Sequence, residues 1–333
     1  MVHPSHTRVF AGAAVLTIAL LALGTQLPNW LLFTVTKAAG YGLVALGIVL
    51  LMRGGVVSFG QGLVYCGGAY AAGLVASRLG ITDIFVLLVL GALTGIALAG
   101  LVAPLIARYR GIFFAMLSMA FSMVLYGILV KSNAIGGSDG FTVPEPTFLF
   151  YAPQGFASDY ALFAVATILA VVLGVLCRLY FDSMHGLITE AIRENELRVE
   201  YLGSSAHTIT ARNFTLAGGL AGMGGVVAGF AVGHMDPLYA FWTTSGEFVF
   251  IAILAGRHSV SAVFVAALIL ELVRSFSNRY FPETWQMILG LFLLIVILFL
   301  PQGLGSLGER LFGKRGRRRA MARRDTVTPE AAE

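Results

Sequence analysis

The sequence predicts an all-α integral membrane protein, a polytopic helix bundle of about ten transmembrane segments. Apolar residues make up 58% of the 333 residues, charged residues make up only 12%, and the mean hydropathy is +0.85. A soluble domain has roughly twice that charged fraction, about 25%. Apolar runs also follow one another along the chain, and a helix of about 20 apolar residues spans a bilayer.

Five apolar runs predict the first half of the bundle, at 9–23, 31–52, 58–77, 84–105 and 112–130. The first has the length of a signal-peptide core, but no small-x-small cleavage site follows, so we expect it to be retained. The third is interrupted by five glycines, at 60, 62, 67, 68 and 73. Such glycines are typical of close helix packing or of a broken helix that lines a cavity.

The second half is predicted from runs at 160–180, 213–233, 247–256, 260–273 and 285–300. Small residues four apart, at 217, 221, 225 and 229, predict a packing seam on the seventh span. The eighth run is too short to span a bilayer by itself. Thr244 and Glu247 before it have capping-box spacing, which we favour over a function for this acid inside the membrane. Glu271 and Arg274 are interpreted as an interfacial ion pair.

A polar stretch, residues 182–212, separates the sixth and seventh spans. Its apolar residues recur at helical spacing, and charges fill the other face; the apolar positions are Ile188, Ile192, Val199 and Leu202. This pattern predicts an amphipathic helix that ends at Gly203, with Glu194 and Arg198 at a favourable i,i+4 spacing. A helix this polar lies in water or along the membrane surface. It either binds a partner or is a solvated linker.

The distribution of charge predicts that both termini are cytoplasmic. The C-terminal tail, residues 305–333, has seven Lys or Arg and three acids beyond Gly313, whereas the loop 131–159 has one Lys and three acids. Cytoplasmic loops carry the excess of positive charge, so we place the tail and 182–212 inside and 131–159 outside. Beside a span, the basic tail indicates attraction to anionic lipid of the bilayer, and we expect no nucleic-acid partner.

Several motifs resemble permease subunits of ABC importers for branched-chain amino acids and related small polar solutes. AIRENELRVEYLG at 191–203 is similar to the cytoplasmic coupling loop of that family, whose short helices insert into a groove on the ATPase subunit. SFGQGLVYCGGAY at 58–70, RGIFFAMLSMAFS at 110–122, GGSDGF at 136–141 and PQGL at 301–304 also match. AGRHSVSAVFVAA at 255–267 departs from the family, because it keeps only one glycine of a glycine-rich turn.

The resemblance implies a transmembrane permease domain over 1–304 and assigns roles within it. The residues expected to couple to the ATPase are Glu190, Ala191, Arg193, Glu194, Asn195, Glu196 and Gly203. The candidates for lining the pathway are Ser58, Gln61 and Ser118. Ser118 and Ser122 can equally bond to carbonyls of their own helix. The motif residues of the external loop are Gly136, Gly137, Asp139 and Gly140. Asp139 is expected either to stabilise a turn or to contact a protein that delivers the substrate.

The implied partners are a homologous second permease subunit, two ABC ATPase subunits that carry ATP and Mg, and a periplasmic solute-binding protein. The implied location is the bacterial cytoplasmic (inner) membrane, with several passes. The solute is expected to be a branched-chain amino acid, with urea, short amides and aromatic acids as alternatives within the family.

We expect a transport subunit and not an enzyme. GERLFGK at 308–314 fits the first seven positions of a phosphate-binding loop, but Arg315 stands where Ser or Thr must bind magnesium, and no strand precedes it. We expect no cofactor or metal on this chain, and the thiols Cys66 and Cys177 are interpreted as buried. A secondary transporter or a non-transporting scaffold remains an alternative. A proton-coupled transporter normally has an ionisable group near the bilayer midplane, and we expect Glu247 and Glu271 near span ends.

Overall fold

The computed structural model describes residues 6–149, 151–257, 259–299 and 303–305, and in them the fold is all-α. The motif residues Pro301 and Gln302, the sequence 308–314 and nearly all of the basic tail lie outside the described residues. The helices are α1 (His6–Gly24), α2 (Asn29–Arg53), α3 (Gln61–Leu79), α4 (Ile84–Ile106), α5 (Gly111–Lys131), α6 (Phe156–Asp182), α7 (Met184–Glu194), α8 (Glu196–Tyr201), α9 (Ala206–Val232), α10 (Trp242–Ala255), α11 (Val260–Tyr280) and α12 (Trp285–Phe299).

Within the described residues, six helices are long and apolar enough to cross a membrane: α2, α4, α5, α6, α9 and α11. Shorter apolar helical stretches occupy Phe10–Gly24, Trp242–Ala255 and Trp285–Val296. A polytopic helical membrane protein is therefore confirmed. The total of about ten crossings and the cytoplasmic side of both termini stay predictions.

Helix α9 lies at the centre of the bundle and packs against α2, α3 and α4. The predicted small-residue seam at 217, 221, 225 and 229 is buried. A second glycine face of α9 meets α4, where a side chain on Gly222 would collide with the carbonyl oxygen of Gly91. Since glycine has no side chain, the backbones of these helices touch directly.

Helix α3 is continuous from Gln61 to Leu79, so its glycines serve close packing and do not break the helix. Gly68 lies against the backbone of Gly222 on α9, and a side chain on Gly67 would collide with Leu98 on α4. The non-helical stretch comes before α3, at residues 54–60. Seven residues there separate α2 from α3.

The two long polar regions lie at opposite ends of the bundle. Helices α7 and α8 contact the C-terminal end of α2 and the residue before α5, through Arg53 and Arg110. In the loop 131–159, Thr147 bonds to Thr82 and Ile84 at the start of α4, and strand β1 (Phe141–Thr142) pairs antiparallel with β2 (His234–Met235), just after α9. The amino-acid sequence predicted this separation.

Several predicted boundaries were wrong. Helix α9 begins at Ala206 and so includes Arg212, and α11 extends to Tyr280. The capping box is also wrong, because α10 begins at Trp242, before both residues of the proposed box. The hydroxyl of Thr244 instead donates to the carbonyl of Leu238 at 2.7 Å.

Candidate functional site

The polar stretch 182–212 forms two short helices and not the single amphipathic helix that we predicted. The chain leaves helical geometry at Asn195, with φ −158° and ψ 99°. The Asn195 side chain accepts a hydrogen bond from the Arg198 N–H at 2.9 Å and thereby caps the start of α8. Asparagine favours such caps over helix interiors. Glu194 and Arg198 consequently belong to different helices.

One face of α7 and α8 packs onto the bundle. Ile192 and Val199 are buried together with Ala206 at the start of α9, and Ile188 packs against them. Leu202 does not belong to this stripe as predicted, because its side chain is 80% exposed. The helix ends at Tyr201, so the spacing from Val199 to Leu202 no longer places the two on one face.

Two ion pairs anchor this loop to the membrane helices. Arg53 at the end of α2 lies 3.1 Å from Glu190 on α7. Arg110, the residue before α5, donates two hydrogen bonds to Glu196 on α8, at 2.9 and 3.0 Å. A bidentate guanidinium–carboxylate pair also fixes orientation. Glu190 and Glu196 thus point toward the bundle.

A buried amide adds a third anchor. The Asn213 side chain on α9 donates to the Thr189 hydroxyl on α7 at 2.9 Å. Its carbonyl accepts from the Tyr180 hydroxyl on α6 at 2.6 Å. Buried polar groups are costly unless hydrogen-bonded, and here the network joins three helices.

The opposite face of the loop is exposed. Of the predicted coupling residues, Ala191, Arg193, Glu194, Asn195 and Gly203 lie at the surface. A shallow depression beside them is lined by Asn195, Leu197, Arg198, Tyr201 and Leu202. The Tyr201 side chain is 89% exposed. Sequence reasoning gave no role to Leu197 or Tyr201 and placed Leu202 on the apolar stripe, although contiguous exposed apolar residues are a signal of docking.

The predicted pathway residues Ser58, Gln61 and Ser118 are all fully buried near one another in the centre of the bundle. The Ser118 hydroxyl accepts from the Phe59 N–H at 3.1 Å and donates to the Ala115 carbonyl at 2.9 Å. The Ser58 hydroxyl accepts from the Gly60 N–H at 3.1 Å. Ser118 therefore both bonds to its own helix and contacts the segment before α3.

Two more serines join this central polar site. The Ser245 hydroxyl on α10 accepts from the Gly62 N–H at 3.0 Å, and Ser122 donates to the Ala240 carbonyl at 2.7 Å. These bonds place the start of α3 close to the start of α10. Sequence reasoning missed Ser245, because its neighbours were interpreted as a cap.

Gln61 differs from its neighbours, since neither atom of its amide has a hydrogen-bond partner among the described residues. Its side chain is 0% exposed. A buried amide without partners costs about 1–3 kcal/mol for each unpaired group. Both the donor and the acceptor of this amide are therefore left free within the described part of the bundle.

Four charged residues form a charge cluster, Lys37, Glu247, Glu271 and Arg274, inside the bundle. Lys37 lies 2.7 Å from Glu271, and Arg274 lies 2.7 Å from Glu247. The predicted pairing of Glu271 with Arg274 was therefore wrong. The expectation that Glu271 lies near a span end was also wrong, because it is near the middle of α11.

The external-loop residues are held together by their backbone. Gly136, Gly137 and Gly140 all have positive φ, at 100°, 58° and 68°, which glycine adopts without a steric penalty. Asp139 is exposed, and its carbonyl contacts the His234 ring at 2.9 Å. The turn chemistry predicted for this motif fits these angles, while a contact with a delivery protein stays a prediction.

The fold is that of a multi-pass helical membrane protein with a buried polar site between its helices. A model of the family described as branched-chain amino acid transport system, permease component, matches residues 30–298. The chain belongs to this family, and it is a permease subunit of an ABC importer in the bacterial cytoplasmic (inner) membrane.

Two relatives are similar over most of the chain. They are the high-affinity branched-chain amino acid transport system permease protein LivM of Escherichia coli (strain K12) and the protein of the same name from Salmonella typhimurium (strain LT2). Each is 28% identical over 296 residues, which cover 79% of this chain and 67% of the relative. No solved structure matches the chain.

Proposed function

We propose that this subunit passes branched-chain amino acids, or similar small polar solutes, through the central polar site while separate ATPase subunits dock on α7 and α8. The observation that carries the proposal is the two-sided coupling loop. One side is fixed to the bundle by Arg53–Glu190 and Arg110–Glu196. The other side presents Arg193, Glu194 and exposed apolar side chains to the solvent.

Gln61, Ser58 and Ser118 are the proposed pathway residues. The free donor and acceptor of the Gln61 amide suit a solute that carries both an ammonium and a carboxylate. The relatives' names support branched-chain amino acids as the solute. An amide group also suits urea, short amides or the carboxylate of an aromatic acid, which are the alternatives.

The complete importer, in this proposal, contains a homologous second permease subunit, two ABC ATPases and a periplasmic solute-binding protein. ATP and Mg bind the ATPases, and this chain has no ATP-binding site of its own and holds no cofactor. The binding protein approaches the face formed by Gly136, Gly137, Asp139 and Gly140, and both chain termini lie in the cytoplasm. The family and the position of the two polar regions at opposite ends support this arrangement.

An ATPase-independent secondary transporter is the second candidate, and the charge cluster is the observation that favours it. Ionisable residues inside a membrane bundle often mark ion or proton pathways. In this chain, however, the two cations and two anions are paired with one another. Transport by the purified chain alone in liposomes would support the facilitator.

The test is co-purification of ATPase subunits with the wild-type chain and with Arg193→Glu/Glu194→Arg, followed by solute-stimulated ATP hydrolysis in nanodiscs. We expect the double reversal to lower stimulation about tenfold, the effect of losing about 1.4 kcal/mol of docking free energy. The matched control is Arg279→Glu/Glu283→Arg, which reverses two exposed charges at the other end of the bundle. If no ATPase co-purifies with the wild type, the importer proposal is wrong.

A further inference from the structure

The segment that joins α2 to α3, residues 54–60, connects the coupling loop to the central polar site. We call it the α2–α3 connector. It is non-helical along its length, between the last residue of α2, Arg53, and the first residue of α3, Gln61. Seven residues span at most about 25 Å, so the connector is a short link between the two helices.

The first end of the connector lies against α7. Gly55 has φ +79°, its N–H donates to the Met52 carbonyl at 3.1 Å, and the Val56 N–H donates to the Leu51 carbonyl at 3.3 Å. This pair of bonds is a Schellman motif, which fixes how the chain leaves α2. A side chain on Gly55 would meet the Arg193 side chain at 3.1 Å, so the backbone there touches α7.

Arg53 holds the same end from the other side. It lies 3.1 Å from Glu190 of α7, and its guanidinium carbon is 4.4 Å from the ring centroid of Phe181 at the end of α6. A guanidinium over an aromatic face is attracted to the ring. The end of α2 is therefore tied to α7 by a charge pair and to the end of α6 by a ring contact, while Gly55 adds a backbone contact with α7.

The connector's second end is fixed in the centre of the bundle. The Phe59 N–H donates to Ser118 on α5, and the Gly62 N–H donates to Ser245 on α10, at 3.1 and 3.0 Å. A side chain on Gly60 would lie 2.6 Å from the Ser118 carbonyl oxygen. Gln61, with its unpaired amide, follows immediately.

The loop that contains α7 and α8 contacts α5 and the connector through different helices. Glu196 on α8 binds Arg110 before α5, while Glu190 on α7 binds Arg53 before the connector. Asn195 breaks the helix between these two carboxylates. In this arrangement a change in the angle between α7 and α8 would displace the connector relative to α5, and the two meet where Phe59 bonds to Ser118.

We propose that the α2–α3 connector transmits movement of α7 to Gln61, with Arg53 and Gly55 as the positioning residues. The inference rests on the proposed function, because it needs an ATPase that moves the loop. It adds the route by which that movement reaches the pathway.

The test uses the complete importer in proteoliposomes and measures the amount of solute transported for each ATP hydrolysed. Gly55→Ala should lower this ratio several-fold, since the added methyl group presses on Arg193. Gly80→Ala is the matched control, because Gly80 also has a positive φ, at 69°, but faces open space at the end of α3. We expect it to keep the wild-type ratio.

A charge exchange provides a second, independent variant. Arg53→Glu should lower the ratio while the assembled complex still hydrolyses ATP, and Arg53→Glu/Glu190→Arg should restore much of it. A purely structural role would lower hydrolysis and transport together and leave the ratio unchanged. The proposal is overturned if the assembled Gly55→Ala and Arg53→Glu importers keep the wild-type ratio. A wild-type complex that does not transport contradicts the proposed function instead.

Discussion

Lys37 and Glu271 face each other across α2 and α11 with side chains only 15% and 7% exposed. Their mutual attraction has to offset the loss of hydration of both charges. The second pair of the charge cluster, Arg274 and Glu247, is 28% and 14% exposed. At the scale of single residues, these are the positions where removing one partner should cost most.

We expect Lys37→Met to destabilise the protein by about 3–5 kcal/mol, because it leaves the Glu271 carboxylate buried without its partner. Lys37→Met/Glu271→Met should recover most of that loss, since an apolar pair of similar volume carries no uncompensated charge. Unfolding by denaturant in detergent micelles measures both free energies. A double variant as unstable as the single one would contradict this account.

The charge cluster also shows where local sequence reasoning fails. Glu271 has Arg274 three residues away, the spacing of a helical ion pair, yet its partner Lys37 is 234 positions away. Glu247 likewise has a local explanation as a cap, while its carboxylate pairs with Arg274 on another helix. Spacing within one helix cannot reveal a partner supplied by the packing of a different helix.

At the scale of helices, the hydropathy of the chain predicts where spans lie but not how they end. Helices α2, α4 and α5 begin and end within two residues of the predicted runs. The break at Asn195 and the start of α9 at Ala206 depend on capping by Asn195 and Ser205, whose side chains accept hydrogen bonds from N–H groups of the following helix. The periodic pattern of apolar residues continues across these caps, so the pattern alone does not predict where one helix ends and the next begins.

The contact between α4 and α9 allows a matched glycine experiment. Gly222→Ala should destabilise the bundle by about 1–3 kcal/mol or more, because the methyl group collides with the Gly91 backbone, which cannot turn aside as a side chain would. Gly127→Ala on α5 meets nothing within 4 Å and should stabilise by about 0.4–1 kcal/mol. Thermal unfolding of the purified variants compares the two. If Gly222→Ala and Gly127→Ala changed the stability equally, α4 and α9 would have to move apart readily, and the account of their close contact would be wrong.

At the scale of the whole molecule, the amino-acid sequence anticipated much of the candidate site. Ser58, Gln61 and Ser118 were chosen from two separate motifs, and the fold brings them together. The sequence did not indicate Ser245 or the contact between the start of α3 and the start of α10, because these depend on how α3, α5 and α10 pack. Motifs identify residues, whereas long-range packing decides which of them meet.

The orientation of the bundle can be tested with an impermeant maleimide on intact cells. We expect Ser138→Cys, in the exposed loop 131–159, to be labelled, and Glu200→Cys, on the exposed face of α8, to be labelled only after the membrane is permeabilised. The wild type is the control, because Cys66 is buried and Cys177 is partly buried. The reverse labelling pattern would place the loop containing α7 and α8 outside the cell.

Helix α10 has only 14 residues and is about 21 Å long, shorter than the roughly 30 Å hydrocarbon core. It begins beside Gly62, in the middle of the bundle, and carries Glu247. A segment this short and charged gains little by entering lipid alone during synthesis. We therefore expect α10 to enter the bilayer together with α11, whose Arg274 pairs with Glu247.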